Sequence, residues 1–109
     1  MIDFESHVAR LFVKPEGSIE RMVHAALGIA GEAGEVVDAV KKHWIYGKPL
    51  DVENILEESG DILFYVAALL IENGYTINDA MAHNIEKLAK RYPTGYTDQA
   101  AIARADKAE

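Results

Sequence analysis

Two pairs of acidic residues, each separated by three positions, are the part of this sequence best suited to chemistry. They are Glu32 with Glu35, and Glu58 with Asp61. In a helix, residues three apart lie on adjacent turns of one face. A hard divalent cation takes several oxygen ligands that converge on it, and two such pairs on facing helices would supply them. The spacing therefore predicts a carboxylate metal site.

The positions of these pairs on their helices support that prediction. Projected at about 100° per residue, Glu32 and Glu58 lie at the margins of two apolar stripes, with Glu35 and Asp61 one step further round. Glu57 points away. One such pair alone is typical of a solvated helix, but a carboxylate held against a core needs a compensating cation. The residues predicted to be buried are Ala25, Ala26, Ile29, Ala33, Val36, Val37, Val40 and Trp44 on one helix, and Ile55, Leu56, Ile62, Leu63, Val66, Leu69 and Leu70 on the other.

Basic residues that could contact phosphates occur in two places. Lys42 shares a helix face with Glu35, and Asn84, Lys87 and Arg91 form a polar stripe on a later helix. Such a stripe is either a solvated surface or, beside the acidic cluster, a phosphate contact. Both interpretations remain open at this point.

Glycines recur every third residue around the first acidic pair, at Gly28, Gly31 and Gly34, and Gly60 lies within the second pair. Each costs a helix about 1 kcal/mol relative to alanine, so another interaction must offset it. One explanation is close packing between helices. The other is that the missing side chains leave space for metal-bound water and phosphate.

Start and stop signals predict an all-α protein, four-helix bundle-like and completed by dimerisation or tetramerisation. One domain is expected over 1–109, with its core at about 18–96. The tail over 97–109 is alanine-rich and charged, either a short docking helix or frayed chain. The predicted helices cover about 3–12, 18–46, 51–71 and 76–92, with Ser18 and Asp51 as N-caps, a capping box at Thr76 and Asp79, and stops at Gly47, Asn73, Gly74 and Pro93.

Composition limits the possible partners. The net charge of -7 disfavours nucleic-acid duplexes, although carboxylates that bind divalent cations can still accommodate a single nucleotide. No apolar run is long enough to cross a membrane, and acidic residues stand near the start where a signal peptide would be basic. We therefore expect a cytoplasmic protein. At 109 residues, a homodimer or homotetramer is expected to complete the core.

Several other kinds of site are disfavoured by the sequence. It has no cysteine, so any metal must be bound by oxygen or imidazole. None of the histidines follows a glutamate by three residues, which argues against a Glu-x-x-His di-iron bundle. The glycine run lies inside a helix and lacks the Gly-Lys-Ser of a phosphate loop. Trp44, Phe64 and Tyr65 are more typical of a core than of a base-stacking site.

Together these residues resemble the MazG-like branch of the all-α nucleoside triphosphate pyrophosphohydrolases. That group is recognised by Glu-x-x-Glu, a spacer and Glu-x-x-Asp; here the spacer between Glu35 and Glu58 is twenty-two residues. The similarity spans about 26–96. The similar segments are 31–36, 58–63, 84–88 and 91–93.

The resemblance implies hydrolysis of a nucleoside triphosphate, often a deoxy or damaged one, to the monophosphate and pyrophosphate. It also implies dependence on Mg²⁺, with Mn²⁺ as a substitute. By position, the implied metal and catalytic residues are Glu32, Glu35, Glu58 and Asp61, and the implied substrate contacts are Lys42, Asn84, Lys87 and Arg91. Water held by metal or carboxylate would attack the α-phosphorus without a covalent intermediate. Glu35 is the favoured general base because it lies further from the apolar edge.

Two alternatives remain open. The chain could be a non-catalytic helical interaction module that keeps an acidic metal-binding site. It could also be a related hydrolase that acts on phosphoribosyl-ATP, or only on dUTP or dCTP. The sequence does not distinguish these substrates, because selection of the base depends on the shape of the pocket.

Overall fold

The computed structural model describes residues 3–107 of the chain. Those residues form helices and no strand, so the predicted all-α class is confirmed. An isolated bridge joins Pro93 and Gly95 in the turn after the fourth helix. The helices are α1 (Phe4–Leu11), α2 (Ser18–Tyr46), α3 (Val52–Glu72), α4 (Ile77–Arg91) and α5 (Asp98–Ala103), followed by a 3₁₀ turn at Ala105–Lys107.

Most helix ends follow the predicted signals. Asp51 caps α3 by accepting a hydrogen bond of 3.0 Å from the Asn54 amide, and Gly47 ends α2 with a left-handed φ of 66°. The predicted N-cap at Ser18 is wrong by one residue, because Gly17 is the cap. The Ser18 hydroxyl donates instead to Glu72 Oε2 on α3, at 2.8 Å.

Helices α2 and α3 pack antiparallel over most of their length. The start of α2 meets the end of α3, where Arg21 and Ser18 both bind Glu72. Ten residues further along α2, Gly28 lies against the ring of Tyr65. This register brings Val52, at the start of α3, opposite about Lys41 of α2. Only about the last turn of α2 therefore extends past α3.

Helix α1 covers one side of this pair and packs on α3. Val8 is fully buried. The ring of Phe12, the C-cap of α1, lies 4.9 Å from that of His24 and 6.2 Å from that of Tyr65, both edge-on. The contacts tie all three helices into one small aromatic cluster.

The predicted apolar stripes are only partly buried. Within the described chain the buried apolar residues are small apart from Val8, and Trp44 is 81% exposed. The periodicity located the apolar face correctly but could not show that α3 covers only part of it. The residues predicted to be buried that are instead exposed are Ala26, Ala33, Val37, Val40, Trp44, Leu56 and Leu63.

The chain divides into two compact units, one ending at Thr76 and one beginning at Ile77. In the second unit Thr97 caps α5 by accepting from the Ala100 amide at 3.0 Å. Arg104 then adopts a left-handed φ of 48°, and the 3₁₀ turn packs back on α4. The described part of the tail thus forms a short helix and a 3₁₀ turn, and the predicted role of the tail stays a prediction. Over residues 3–107, no helix has the length and apolar character that crossing a membrane requires.

Candidate metal centre

Three of the four predicted acidic ligands come together where α2 faces α3. Glu32 extends from α2, and Glu58 and Asp61 extend from adjacent turns of α3. One carboxylate oxygen from each lies within 4.8 Å of the others. Glu32 and Asp61 are only partly exposed. Oxygen ligands from two helices thus converge as a hard divalent cation requires.

Glu58 has the least favourable surroundings of the three carboxylates. Its Oε2 is buried without a hydrogen-bond partner. Its pKa is raised from 4.5 to about 7, first because of a side-chain hydrogen bond with Glu32, then because of desolvation, and then because of repulsion from Glu32, Asp61 and Glu35. A buried acceptor surrounded by like charges is poorly satisfied by the protein alone. A divalent cation would satisfy both the lone pair and the charge, so the residues fit a metal.

Glu35 lies at the edge of the cluster. It is exposed and does not belong to the group of three converging carboxylates. Its charge nevertheless contributes to raising the pKa of Glu58 and also that of Lys42. Its assignment as a metal ligand or base stays a prediction. Glu57 is exposed, as its helical phase predicted.

The structure supports the packing explanation for one of the helical glycines, and the space for metal-bound water and phosphate beside the others stays a prediction. A Cβ added at Gly28 would lie 2.6 Å from ring carbons of Tyr65, so this glycine permits close packing. At Gly31, Gly34 and Gly60, an added Cβ would have no described neighbouring atom within 4 Å. The last three therefore leave open space beside the acidic residues.

The segment that contains these features matches a family model over residues 22–96, that of the MazG nucleotide pyrophosphohydrolase domain. The chain belongs to this family. No curated protein and no solved structure matches it. The resemblance read from the acidic motifs is thereby confirmed, and the MazG domain assigns the chain to the nucleotide pyrophosphohydrolases, which are hydrolases. Its members typically depend on a divalent metal, in agreement with the acidic cluster.

Lys42 of the MazG domain is already paired on its own helix. Its Nζ lies 2.8 Å from Asp38 Oδ2, one turn earlier, and both side chains are about half exposed. Their hydrogen bond lowers the pKa of Asp38 and raises that of Lys42. The i, i+4 spacing would have revealed Asp38, which the sequence analysis missed. The role of Lys42 as a substrate contact stays a prediction.

The stripe Asn84, Lys87 and Arg91 lies on α4, in the second compact unit of the MazG domain. Asn84 is exposed and Lys87 partly buried. Arg91 donates from Nε and Nη2 to the two oxygens of Asp106, at 2.8 and 3.3 Å. The hydrogen bond lowers the pKa of Asp106 and raises that of Arg91. No sequence motif pointed to Asp106, because it lies in the tail, beyond the matched segment.

Proposed function

We propose that this MazG domain hydrolyses a nucleoside triphosphate, a deoxy or non-standard one, to the monophosphate and pyrophosphate with Mg²⁺. Mn²⁺ is the expected substitute, and free cytoplasmic nucleotides are the expected substrates. The observation that carries the proposal is the convergence of Glu32, Glu58 and Asp61 around a buried oxygen without a partner. The family match supports nucleotide hydrolysis as the chemistry that uses them.

In the proposed mechanism, Glu32, Glu58 and Asp61 would hold the divalent ion, and Glu35 would either be a fourth ligand or face water. When bound, the ion supplies positive charge next to the departing pyrophosphate. Glu35 is exposed, so it can accept a proton from the attacking water. A bond forms between the water oxygen and the α-phosphorus, and the bond from the α-phosphorus to the bridging oxygen breaks. No covalent intermediate is required.

The substrate contacts in this proposal are basic or amide side chains. Lys42, Lys87 and Arg91 would neutralise phosphate oxygens, and Asn84 would donate a hydrogen bond. Two of them already have carboxylate partners, Asp38 for Lys42 and Asp106 for Arg91. An arginine has five N–H donors, so Arg91 retains donors for phosphate. Lys42 would have to share its ammonium with Asp38.

The experiment that tests the proposal is a product assay on a nucleotide panel with and without Mg²⁺. The wild-type protein should release pyrophosphate and monophosphate only with the metal. Glu58→Gln and Asp61→Asn should each reduce the rate by at least about a hundredfold, the loss that removing an electrostatic contribution to catalysis typically causes. The matched control is Glu57→Gln, on the same helix and exposed, which should retain the wild-type rate.

Two results would contradict this function. Release of orthophosphate and diphosphate would mean attack at the wrong phosphorus. Activity that survives in both Glu58→Gln and Asp61→Asn would mean that the cluster is not the catalytic centre. If no nucleotide is hydrolysed and a nonhydrolysable triphosphate binds equally well with and without metal, the chain is the non-catalytic module.

We further propose that the chain assembles as a homo-oligomer through an apolar surface of α2. This α2 patch forms a shallow concavity of about 480 Å³. Its members are partly or largely exposed, with Trp44 at 81%. Within the described residues Trp44 is among the most exposed apolar side chains, which is unusual for a large aromatic in a monomer. The α2 patch consists of Val36, Val37, Val40, Lys41, Trp44 and Ile45.

A second copy of the chain is the expected occupant of the α2 patch. The register of α2 against α3 leaves about the last turn of α2, which carries Trp44 and Ile45, beyond the start of α3. The patch therefore continues onto a helix end that α3 does not cover. It is apolar apart from Lys41. A symmetric dimer would pair two such surfaces and bury both. This would bury large apolar side chains, of which Val8 alone is fully buried within residues 3–107 of one copy.

The one tryptophan of the chain makes this assembly directly measurable. Sedimentation should detect a dimer or tetramer, and dilution should shift Trp44 emission to longer wavelength as the subunits separate. Val37→Glu should give a monomer at concentrations where wild type is assembled. Ile102→Glu, on α5 and more exposed than Val37, at 82% against 64%, is the control and should remain assembled. A wild-type monomer, or assembly that survives Val37→Glu, would refute the proposal.

A further inference from the structure

The second compact unit contains a basic pocket, and of its lining residues Lys87 alone is also a proposed substrate contact. The pocket has a volume of about 340 Å³, at the small end of the range for ligand sites. One wall is α4 and the other is the docked 3₁₀ turn, so both walls belong to this unit. The lining residues are His83, Glu86, Lys87, Lys90, Asp106 and Lys107. We call it the α4 pocket.

The charge of the α4 pocket is opposite to that of the chain. Its lining includes three lysines, Lys87, Lys90 and Lys107, against the acidic residue Glu86. The other acid, Asp106, is neutralised by the guanidinium of Arg91 at 2.8 Å. The lining is therefore net positive although the whole chain carries -7. A cavity with such a lining attracts small anions rather than cations.

The arrangement is built by the fold rather than by chance proximity of surface lysines. The Asp106 side chain is only 2% exposed and that of Arg91 17%, and both carboxylate oxygens accept hydrogen bonds. This pair fixes the 3₁₀ turn on α4. Because Lys107 directly follows Asp106, the same pair holds Lys107 across the pocket from the lysines of α4.

The wall that carries Lys107 lies outside the family domain, which ends at residue 96. We propose that the α4 pocket binds a small polyvalent phosphate anion, of which inorganic pyrophosphate is the representative. Several lysines lining one cavity suit an anion with oxygens at both ends better than one with a single charge. Because pyrophosphate is the product of the proposed hydrolysis, the link to turnover rests on the proposed function. The binding itself does not.

The test is calorimetric titration of the full chain with pyrophosphate in EDTA, without divalent metal. Wild type should bind at one site, and Lys90→Gln with Lys107→Gln should weaken binding by at least about tenfold, since each loses a charged hydrogen-bond donor. Lys48→Gln removes the same charge from an exposed residue between α2 and α3, and should bind as wild type does. A second titration, under the same conditions, measures the affinity for orthophosphate. Weaker binding of orthophosphate supports a site for condensed phosphate, and equal binding of the two anions would overturn it.

Amide chemical shifts provide a second readout. Pyrophosphate should perturb residues of α4 and the 3₁₀ turn, and not those around Glu32 and Glu58. If the double variant loses helicity, Lys90→Gln alone is the deciding variant. The proposal is overturned if wild type does not bind, if Lys48→Gln weakens binding equally, or if Glu58→Gln abolishes it. Glu58→Gln that has lost hydrolysis but still binds pyrophosphate in EDTA would separate the two proposals.

Discussion

Binding of a divalent ion to the acidic cluster should displace a proton from Glu58. The pKa of this residue is raised to about 7, so roughly half of the molecules carry the proton at pH 7. A carboxyl group must be deprotonated to serve as a ligand. About half a proton should therefore leave per ion bound at pH 7. Between pH 6 and pH 8 the deprotonated fraction rises about tenfold, and the apparent metal affinity should rise with it.

Proton release is measured by titrating Mg²⁺ or Mn²⁺ into the protein in two buffers of equal pH and different ionisation enthalpy. The difference between the two apparent enthalpies gives the number of protons released. Glu58→Gln should abolish this difference and weaken binding, because a neutral amide replaces the titrating ligand. Glu57→Gln, on the exposed side of α3, should leave both quantities unchanged.

The same protonation determines how pH affects the metal-free protein. Because the pKa of Glu58 is raised in the folded state from 4.5 to about 7, the group's contribution to stability is fully present below pH 4.5. It is then lost progressively as pH rises to about 7. Urea unfolding in EDTA should show this decline, and Glu58→Gln should remove Glu58's share of it. An affinity that is flat between pH 6 and 8, or proton release that persists in Glu58→Gln, would refute this reasoning.

Three further predictions concern the frame around the site. Gly28→Ala should lower the free energy of unfolding by about 1–3 kcal/mol, because the new methyl group overlaps the Tyr65 ring. Gly31→Ala should raise the free energy of unfolding by about 1 kcal/mol, because alanine is the better helix former. Urea titrations that rank the two variants in the opposite order would contradict the packing. Gly47→Ala should cost about 1 kcal/mol at its left-handed φ of 66°, and an unchanged urea midpoint would contradict this. Asp106→Asn should speed amide exchange in α5 but not in α3, and equal exchange in both proteins would mean that the pair with Arg91 does not hold the tail.

Much of the fold follows from local signals in the sequence. Asp51 has a side chain that can accept a hydrogen bond from a helix N-terminus, and Gly47 can adopt the left-handed conformation that ends a helix. Both residues are caps in the structure. The exposure of Trp44 could not be predicted in this way. Helical periodicity identifies an apolar face, but which part of the face another helix covers depends on register, which is a long-range property. Ser18 illustrates the same limit, since its hydroxyl binds Glu72 on another helix rather than its own backbone.

The candidate site shows a similar division. The i, i+3 spacing was sufficient to predict that Glu32, Glu58 and Asp61 share one location, because helix geometry fixes each pair and antiparallel packing joins them. The raised pKa of Glu58 was not predictable, since it depends on the distance between carboxylates on different helices. Nor was the pairing of Arg91 with Asp106, because nothing local indicates that the chain folds back after Arg104.

The contact between Gly28 and the Tyr65 ring helps to set the register of α2 against α3. Glu32 follows Gly28 by one turn, and Asp61 precedes Tyr65 by one turn. The position of the Tyr65 ring against Gly28 therefore determines how Glu32 and Asp61 are aligned along the helix axes. A large side chain at position 28 would therefore shift α2 along α3 and misalign the acidic residues of the two helices. Anyone grafting these motifs onto another scaffold would need to transplant the glycine and the tyrosine together with the four acids.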